Sequence, residues 1–350
     1  MAHLESYDSF QTKKSKEQKA RAKNKDKYSR KKSLESEKFV VKKGKENVGV
    51  VIETKYNEAI VLYKNSLIKA HMKRGLNMVC NQTIFPGDKV LVIYDENSGL
   101  VISNLVKRKN VLTRTKVDRT RNGANNGVTH IVAANIDIAI IVVSAKEPPL
   151  HSKFIDRYLM LLQNSSIKCA ICLNKSDLKT QADEEILNIY RKIGFLVIET
   201  SAKKNEGIQE LRNVIEGKQA IFVGHSGVGK SSLTNALMEY DEIKTSHVSV
   251  KSGKGRHTTT TSKYYVLDKR TSIIDTPGIR SLDLSDFGLS EIQEYFPEFE
   301  EWKLGCKYSN CLHYNEPTES CAVKQAVKSK KISVDRYESY VRILNDIEQR

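Results

Sequence analysis

Between residues 137 and 275 the chain alternates continuous apolar runs with amphipathic ones, and that alternation leaves little choice of architecture. DIAIIVVS (137–144), KCAICLN (168–174), FLVIET (195–200), QAIFV (219–223) and TSIID (271–275) have strand length and are largely apolar on both faces. FIDRYLMLLQN (154–164), EEILNIYRKI (184–193) and GIQELRNVI (207–215) lie between them with apolar residues at helical spacing. Strands without a polar face must be covered on both sides, so the sequence predicts an α/β fold around a parallel sheet. Such sheets bind ligands outside the carboxyl ends of their strands, so the residues just after each apolar run are the candidates for function.

After QAIFV the chain reads GHSGVGKSS and runs on into the helical pattern SSLTNALMEY. Gly224, Gly229, Lys230 and Ser231 satisfy G-x-x-x-x-G-K-[ST] between a strand and a helix, the setting of a phosphate-binding loop. The loop residues Gly224, His225, Ser226, Gly227, Val228 and Gly229 let backbone N–H groups wrap a β-phosphate, and the helix N-terminus at Ser231 and Ser232 adds a favourable dipole. Lys230 places an ammonium between β- and γ-phosphates, and the Ser231 hydroxyl suits Mg²⁺.

Asn174, Lys175, Ser176 and Asp177 (NKSD) follow the strand KCAICL. A carboxylate at Asp177 accepts both the N1–H and the exocyclic amine of guanine, a pair adenine does not offer. Ser201, Ala202 and Lys203 follow the next strand and back the base. Asp275-Thr276-Pro277-Gly278 ends the strand TSIID, where Asp275 holds Mg²⁺ through water and the Gly278 N–H senses the γ-phosphate. Between cradle and sensor lies the glycine-rich KSGKGRHTTTTSKYY, from which Thr259, among Thr258 to Thr260, is expected to complete the Mg²⁺ shell. Many GTPases carry a water-orienting Gln just after the sensor glycine; here that place holds Ile279. A lone N-K-x-D is a weak signal. Its weight comes from standing one βα unit before Ser-Ala-Lys.

Three of the six cysteines, Cys306, Cys311 and Cys321, crowd around His313. Three thiolates and an imidazole make a closed tetrahedral set, the donor set of a structural Zn²⁺. Cys169 and Cys172 also have C-x-x-C spacing, but positions i and i+3 of a strand face opposite sides, so these two belong to the core.

The rest of the chain is read from composition and turn chemistry. Lys13 to Lys32 holds eleven Lys or Arg against two acids and scarcely an apolar residue, so residues 1–40 are expected to be a disordered basic arm. GVVIE (49–53), AIVLY (59–63), KVLVIY (89–94) and LVIS (100–103), separated by Pro86-Gly87-Asp88 and Glu96-Asn97-Ser98-Gly99, predict a small antiparallel OB-like barrel over 41–107. Residues 108–130 are basic and turn-rich and are read as a linker. The formal charge of +16 favours a polyanionic partner. No apolar run approaches the length of a membrane span and the N-terminus lacks a secretory pattern, so a cytoplasmic protein is expected.

The motif order, base reader, base backing, cradle, switch and sensor, is not the usual one, in which the cradle comes first. It resembles the circularly permuted GTPases, and most closely the ribosome small subunit-dependent GTPase A family, over residues 40–350. The natural ends of a compact domain lie close together, so joining them near Glu216-Gly217-Lys218 and cutting between sensor and base reader keeps the sheet intact. The resemblance implies an OB-like β-barrel, a circularly permuted P-loop GTPase domain at 131–287 and a zinc-binding helical domain at 288–350. It also implies that His257, in G-R-H-T-T, positions the attacking water. In the metal knuckle, the gap from His313 to Cys321 is slightly longer than the family's. The implied activity is GTP hydrolysis with Mg²⁺, on the 30S ribosomal subunit and its 16S rRNA, late in maturation and stimulated by the subunit. The chain is expected to work as a monomer. Two other readings stay open: a passive RNA-binding scaffold with a vestigial nucleotide site, and a GTPase that regulates a protein partner.

Overall fold

The computed structural model describes residues 47–55, 57–64, 66–72, 83–119, 125–244, 263–275, 284 and 287–349. The basic arm expected at 1–40 lies outside them.

Five strands, β1 (Asn47–Lys55), β2 (Glu58–Tyr63), β3 (Ser66–Met72), β4 (Lys89–Asp95) and β5 (Gly99–Leu105), close into a barrel in the order β1-β2-β3-β5-β4. Strict alternation in β2 turns Ala59, Val61 and Tyr63 inward, and β4 adds Val90 and Val92. The expectation of a wholly antiparallel barrel is corrected in one place. β3 pairs parallel with β5, with His71 opposite Val101 and Met72 opposite Ile102. SLIKAHM carries a weak apolar signal, because its inward residues, Ile68 and Ala70, are separated by exposed Lys69 and followed by exposed His71.

The stretch read as a turn-rich linker is also more ordered than its composition suggests. β6 (Val111–Arg119) pairs antiparallel with β7 (Asn125–Ala134) as a two-stranded sheet. Val111, Thr113, Thr115 and Val117 recur at period two, but the Arg and Lys between them give the segment a linker's composition.

The central sheet has the order β10-β9-β8-β11-β13-β12, built from β8 (Ile138–Ser144), β9 (Cys169–Asn174), β10 (Val197–Glu199), β11 (Gln219–Val223), β12 (Lys263–Val266) and β13 (Ser272–Asp275). All neighbours are parallel except β12, which runs antiparallel to β13 at one edge. Its first three residues, KYY, close the glycine-rich segment 251–265, and a four-residue strand carries too little periodicity to register in sequence. Every residue of β8 is buried. Ala139, Ile141 and Val143 join a core with α1 (Ser152–Asn164) and α2 (Gln181–Lys192); Ile138, Ile140 and Val142 join the opposite one with α3 (Ile208–Ile215) and α4 (Lys230–Lys244). Each buried Val or Ile among them stabilises the fold by about 1.5–3 kcal/mol. Cys169 packs on the first core and Cys172 on the second, as the i, i+3 argument requires. Burial pushes their thiols up to about 11 and about 12.

A third core gathers Phe296, Phe299, Cys311, Cys321, Val323 and Tyr340 from the C-terminal segment, together with Met160 of α1. Its helices are α5 (Glu300–Lys303), α6 (Ala322–Lys328) and α7 (Val334–Glu348).

Candidate functional site

The parallel strands β8, β9, β10, β11 and β13 all open at one edge of the sheet, so Ser144, Asn174, Thr200, Gly224 and Asp275 mark a common rim. Asn174, 2% exposed, ties three of its loops together. Its Nδ2 donates to the Val228 carbonyl at 2.9 Å, and its Oδ1 accepts the Ala202 N–H at 3.2 Å. The predicted base reader, base backing and phosphate loop are therefore joined by one buried amide. Gly229 makes this approach possible: at φ +94 it adopts a conformation other residues avoid, and an added Cβ would lie 2.2 Å from Asn174 Nδ2.

Lys175 sits at φ 58 and donates from Nζ to the carbonyls of Lys146 at 2.8 Å and Glu147 at 2.6 Å. The Ser176 N–H donates to Thr200 O at 3.0 Å, pinning the NKSD turn to the end of β10. Ser201, fully buried, donates from Oγ to Asp177 Oδ1 at 2.7 Å. That hydrogen bond holds the Asp177 carboxyl below its ordinary range, so it stays an acceptor. Ala202 follows, half-buried, and Lys203 is exposed.

In the phosphate loop, Lys230 folds back to donate to the carbonyls of Gly224 and His225, each at 2.8 Å. Burial lowers its pKa, opposed by the charge of Asp275. Ser226, Gly227, Ser231 and Ser232 are exposed at the mouth, and Val228 is buried beneath it. The Ser231 hydroxyl donates to Asp275 Oδ2 at 3.0 Å, and burial raises the Asp275 carboxyl against the pull of Ser231 and Lys230. A hydroxyl and a carboxylate held together on one side of a lysine are hard oxygen donors, so these residues fit Mg²⁺. His257, Thr259 and Gly278 lie outside the described residues.

Sequence reading missed the loop over Ala145–Leu150 and the start of α1, which close the rim from another side. Ser144 Oγ donates to Pro148 O at 2.7 Å, and the Phe154 ring meets the His225 ring edge-on at 4.0 Å. Lys146-Glu147-Pro148-Pro149 reads as an ordinary turn, and no local pattern marks its contact with a loop about eighty residues further on.

The second cluster is local. The ligand atoms of Cys306, Cys311, His313 and Cys321 all lie within 4.8 Å of one another. His313 Nδ1 stands 3.5, 3.3 and 3.4 Å from the three sulfurs in chain order, and Cys306 and Cys321 Sγ are 4.0 Å apart. A tetrahedral Zn²⁺ with Zn–S about 2.3 Å and Zn–N about 2.0–2.1 Å needs edges of roughly 3.5–3.8 Å, so the donors fit it. His313 Nε2 faces Gln293 Oε1 at 3.0 Å, which as an Nε2–H donor leaves Nδ1 free to ligate. Lys307 N–H donates to Ser320 O at 2.9 Å, bringing the two ends of the knuckle together across the lengthened His313–Cys321 gap. Burial raises the Cys311 and Cys321 thiols, so a bound cation is what would favour their thiolates, and it lowers the His313 imidazole, which keeps that ring in its neutral, ligating form.

A phosphate loop that follows a guanine-type reader in the chain, yet shares its rim, defines a circularly permuted GTPase. Residues 105–285 match the RsgA GTPase domain family. A protein of Flavobacterium psychrophilum named small ribosomal subunit biogenesis GTPase RsgA is 40% identical over 265 residues, 74% of this chain and 79% of the relative. Its namesake in Thermotoga petrophila is 36% identical over 278 residues, 78% of this chain and 87% of the relative. The crystal structure of YjeQ from Thermotoga maritima superposes with TM-score 0.68 at 30% identity, covering 87% of this chain and all of that one. YloQ, described as a circularly permuted GTPase, gives 0.65 at 28% identity over 88% of this chain and 96% of its own. The chain belongs to the RsgA GTPase family and is a GTP hydrolase.

Proposed function

We propose that this GTPase binds the small (30S) ribosomal subunit through its 16S rRNA and acts in its late maturation, with hydrolysis stimulated by the subunit. The observation that carries the reading is the Asn174 bridge between guanine reader and phosphate loop, in a chain whose relatives are named for small-subunit biogenesis. The charge of +16 supports a polyanionic partner.

In this reading Asn174, Lys175, Ser176 and Asp177 with Ser201, Ala202 and Lys203 hold the guanine, and residues 224–232 hold the phosphates. Ser231, Asp275 and Thr259 would hold Mg²⁺, which supplies charge neutralisation on the β- and γ-phosphates. Lys230 exchanges its two carbonyl partners for phosphate oxygens, which costs little reorganisation because the ammonium is already in the loop. Gly278 reports the γ-phosphate, and His257 orients the water in place of the Gln that Ile279 displaces. Cys306, Cys311, His313 and Cys321 would hold one structural Zn²⁺ that stabilises the RNA-facing C-terminal domain.

The division we adopt is a basic arm at 1–40, a barrel at 41–107, a connecting segment at 108–130, the GTPase domain at 131–287 and the metal domain at 288–350. The barrel, the connecting segment and the metal domain face rRNA. The protein works as a cytoplasmic monomer; among the described residues no helix is long and apolar enough to cross a membrane.

The test is the GTPase rate with and without isolated 30S subunits, alongside recovery of 30S on the chain loaded with a non-hydrolysable GTP analogue. Stimulation, and capture that weakens steeply with salt, are expected. Turnover unchanged by 30S together with no capture at low salt would refute the reading.

A further inference from the structure

α1 has contacts of two kinds on two sides. Residues 154 and 158 share one face and residues 156 and 160 another, by i, i+4 spacing. On the first, Phe154 meets the His225 ring at 4.0 Å, and Tyr158 lines the same small cavity as Phe154, His225 and Val228, with its hydroxyl near the Gly224 backbone. Both partners are at the start of the phosphate loop. On the second, buried Asp156 pairs with Arg336 of α7, and Met160 enters the C-terminal core.

Arg336 is held on every side. Its Nε and one terminal nitrogen donate to the two Glu298 oxygens at 2.6 and 3.1 Å, and its guanidinium lies 4.3 Å from the Phe296 ring. The Tyr190 hydroxyl donates to the same Asp156 oxygen at 2.6 Å. About three turns further along α7, Asp346 pairs with Arg157 and, at 3.3 Å, with Lys153. No residue of this network reaches the nucleotide rim, yet it fixes the helix that two loop residues lean on.

We infer that Arg336 is a positioning residue for the phosphate loop: by clamping α1 to the metal-binding domain, it sets the placement of Gly224 and His225 and thereby nucleotide affinity. This is a route from the C-terminal domain to the nucleotide that does not pass through the sensor at Asp275–Gly278. It rests on the reading that residues 224–232 hold phosphates. A packed helix with fixed partners on both faces shifts as a body, so strain at one face is felt at the other.

The test uses the full chain and fluorescent mant-GDP. Arg336→Lys keeps the charge but loses the planar fork, and Phe154→Leu cuts the contact at the other end of the same route. Each is expected to raise the dissociation constant at least about fivefold, and the double variant to be no weaker than the worse single, because both act on one path. A merely structural role lowers the melting temperature and leaves affinity of the folded protein unchanged. A folded Arg336→Lys that binds within twofold of the unaltered chain, or effects that multiply in the double variant, would overturn the inference. Should Arg336→Lys not fold, hydrogen exchange of the unaltered chain decides: slower exchange in Val334–Glu348 on adding GDP supports the route, and unchanged exchange refutes it. An unaltered chain that binds no mant-GDP would remove the phosphate-loop reading and this inference with it.

Discussion

The nucleotide rim and the Cys/His knuckle are built in opposite ways. The rim collects residues from 144 to 275, and its polar groups satisfy one another: Asn174 with Val228 and Ala202, Lys230 with Gly224 and His225, Ser231 with Asp275. The knuckle collects four donors from sixteen consecutive residues, and they point at one another, with burial raising the Cys311 and Cys321 thiols. The first is organised by the sheet before any ligand arrives. The second is a donor set that a cation would hold together. Removing a charged group from the rim should therefore cost function while sparing the fold, and knuckle substitutions should do the reverse.

The largest effect that would sharpen this contrast is Lys230→Ala. Removing the ammonium is expected to lower 30S-stimulated turnover by about 10²–10³-fold, as for other preorganised charge-stabilising groups. Circular dichroism and the melting temperature should stay close to those of the unaltered chain.

Chelation, or Cys321→Ser, should do the opposite. Loss of a structural ion worth several kcal/mol lowers the melting temperature by roughly 10 °C, at about 2–4 °C per kcal/mol. GDP affinity of the still-folded fraction falls far less than with Lys230→Ala. A knuckle that holds no zinc by elemental analysis, or melts unchanged after chelation, breaks the comparison.

Asp177→Asn comes next. Two hydrogen bonds from guanine to a charged acceptor are lost, so GTP affinity should drop about 100-fold and the preference over ATP should nearly vanish, measured by calorimetry with both nucleotides. Gly229→Ala tests the rim's internal join. Its Cβ would sit 2.2 Å from Asn174 Nδ2 at a φ of +94, so nucleotide binding should weaken about tenfold with a stability loss of about 1–3 kcal/mol.

The smallest effect is one of pH. Burial raises the Asp275 carboxyl, so its protonated form is favoured in the protein without nucleotide, and the stability that form lends is lost as pH rises through the raised value. Mg²⁺ needs the carboxylate. The Mg²⁺-dependent part of nucleotide affinity should therefore fall several-fold on acidification, beginning above the ordinary aspartate range. Asp275→Asn should flatten that profile, read by mant-GDP titration with and without Mg²⁺.

How much was legible follows from how far each signal reaches along the chain. The strands of the central sheet were visible because burial on both faces leaves unbroken apolar runs, as in β8. β3 and β12 were not, because an exposed Lys69 and His71 dilute one and four residues are too short for a period in the other. The β6–β7 hairpin hid behind its charged residues: Arg114, Lys116 and Arg119 make it look like a linker, although Val and Thr alternate beneath. The knuckle was the plainest feature, since its ligands are neighbours in sequence.

By itself the sequence determined the motifs on offer: a G-x-x-x-x-G-K-S loop, an N-K-S-D turn, four clustered Cys and His side chains, and strands whose apolar faces demand a covered parallel sheet. Those properties live in short windows, where residue type and spacing act directly on the backbone. Only the tertiary structure decided that Asn174 reaches across to Val228, that Gly229 must stay bare to let it, and that α1 stands between the phosphate loop and Arg336. These are contacts between segments tens to hundreds of residues apart, and their geometry is set by the order of strands in the sheet and by which face each helix buries, neither of which any single window of residues encodes.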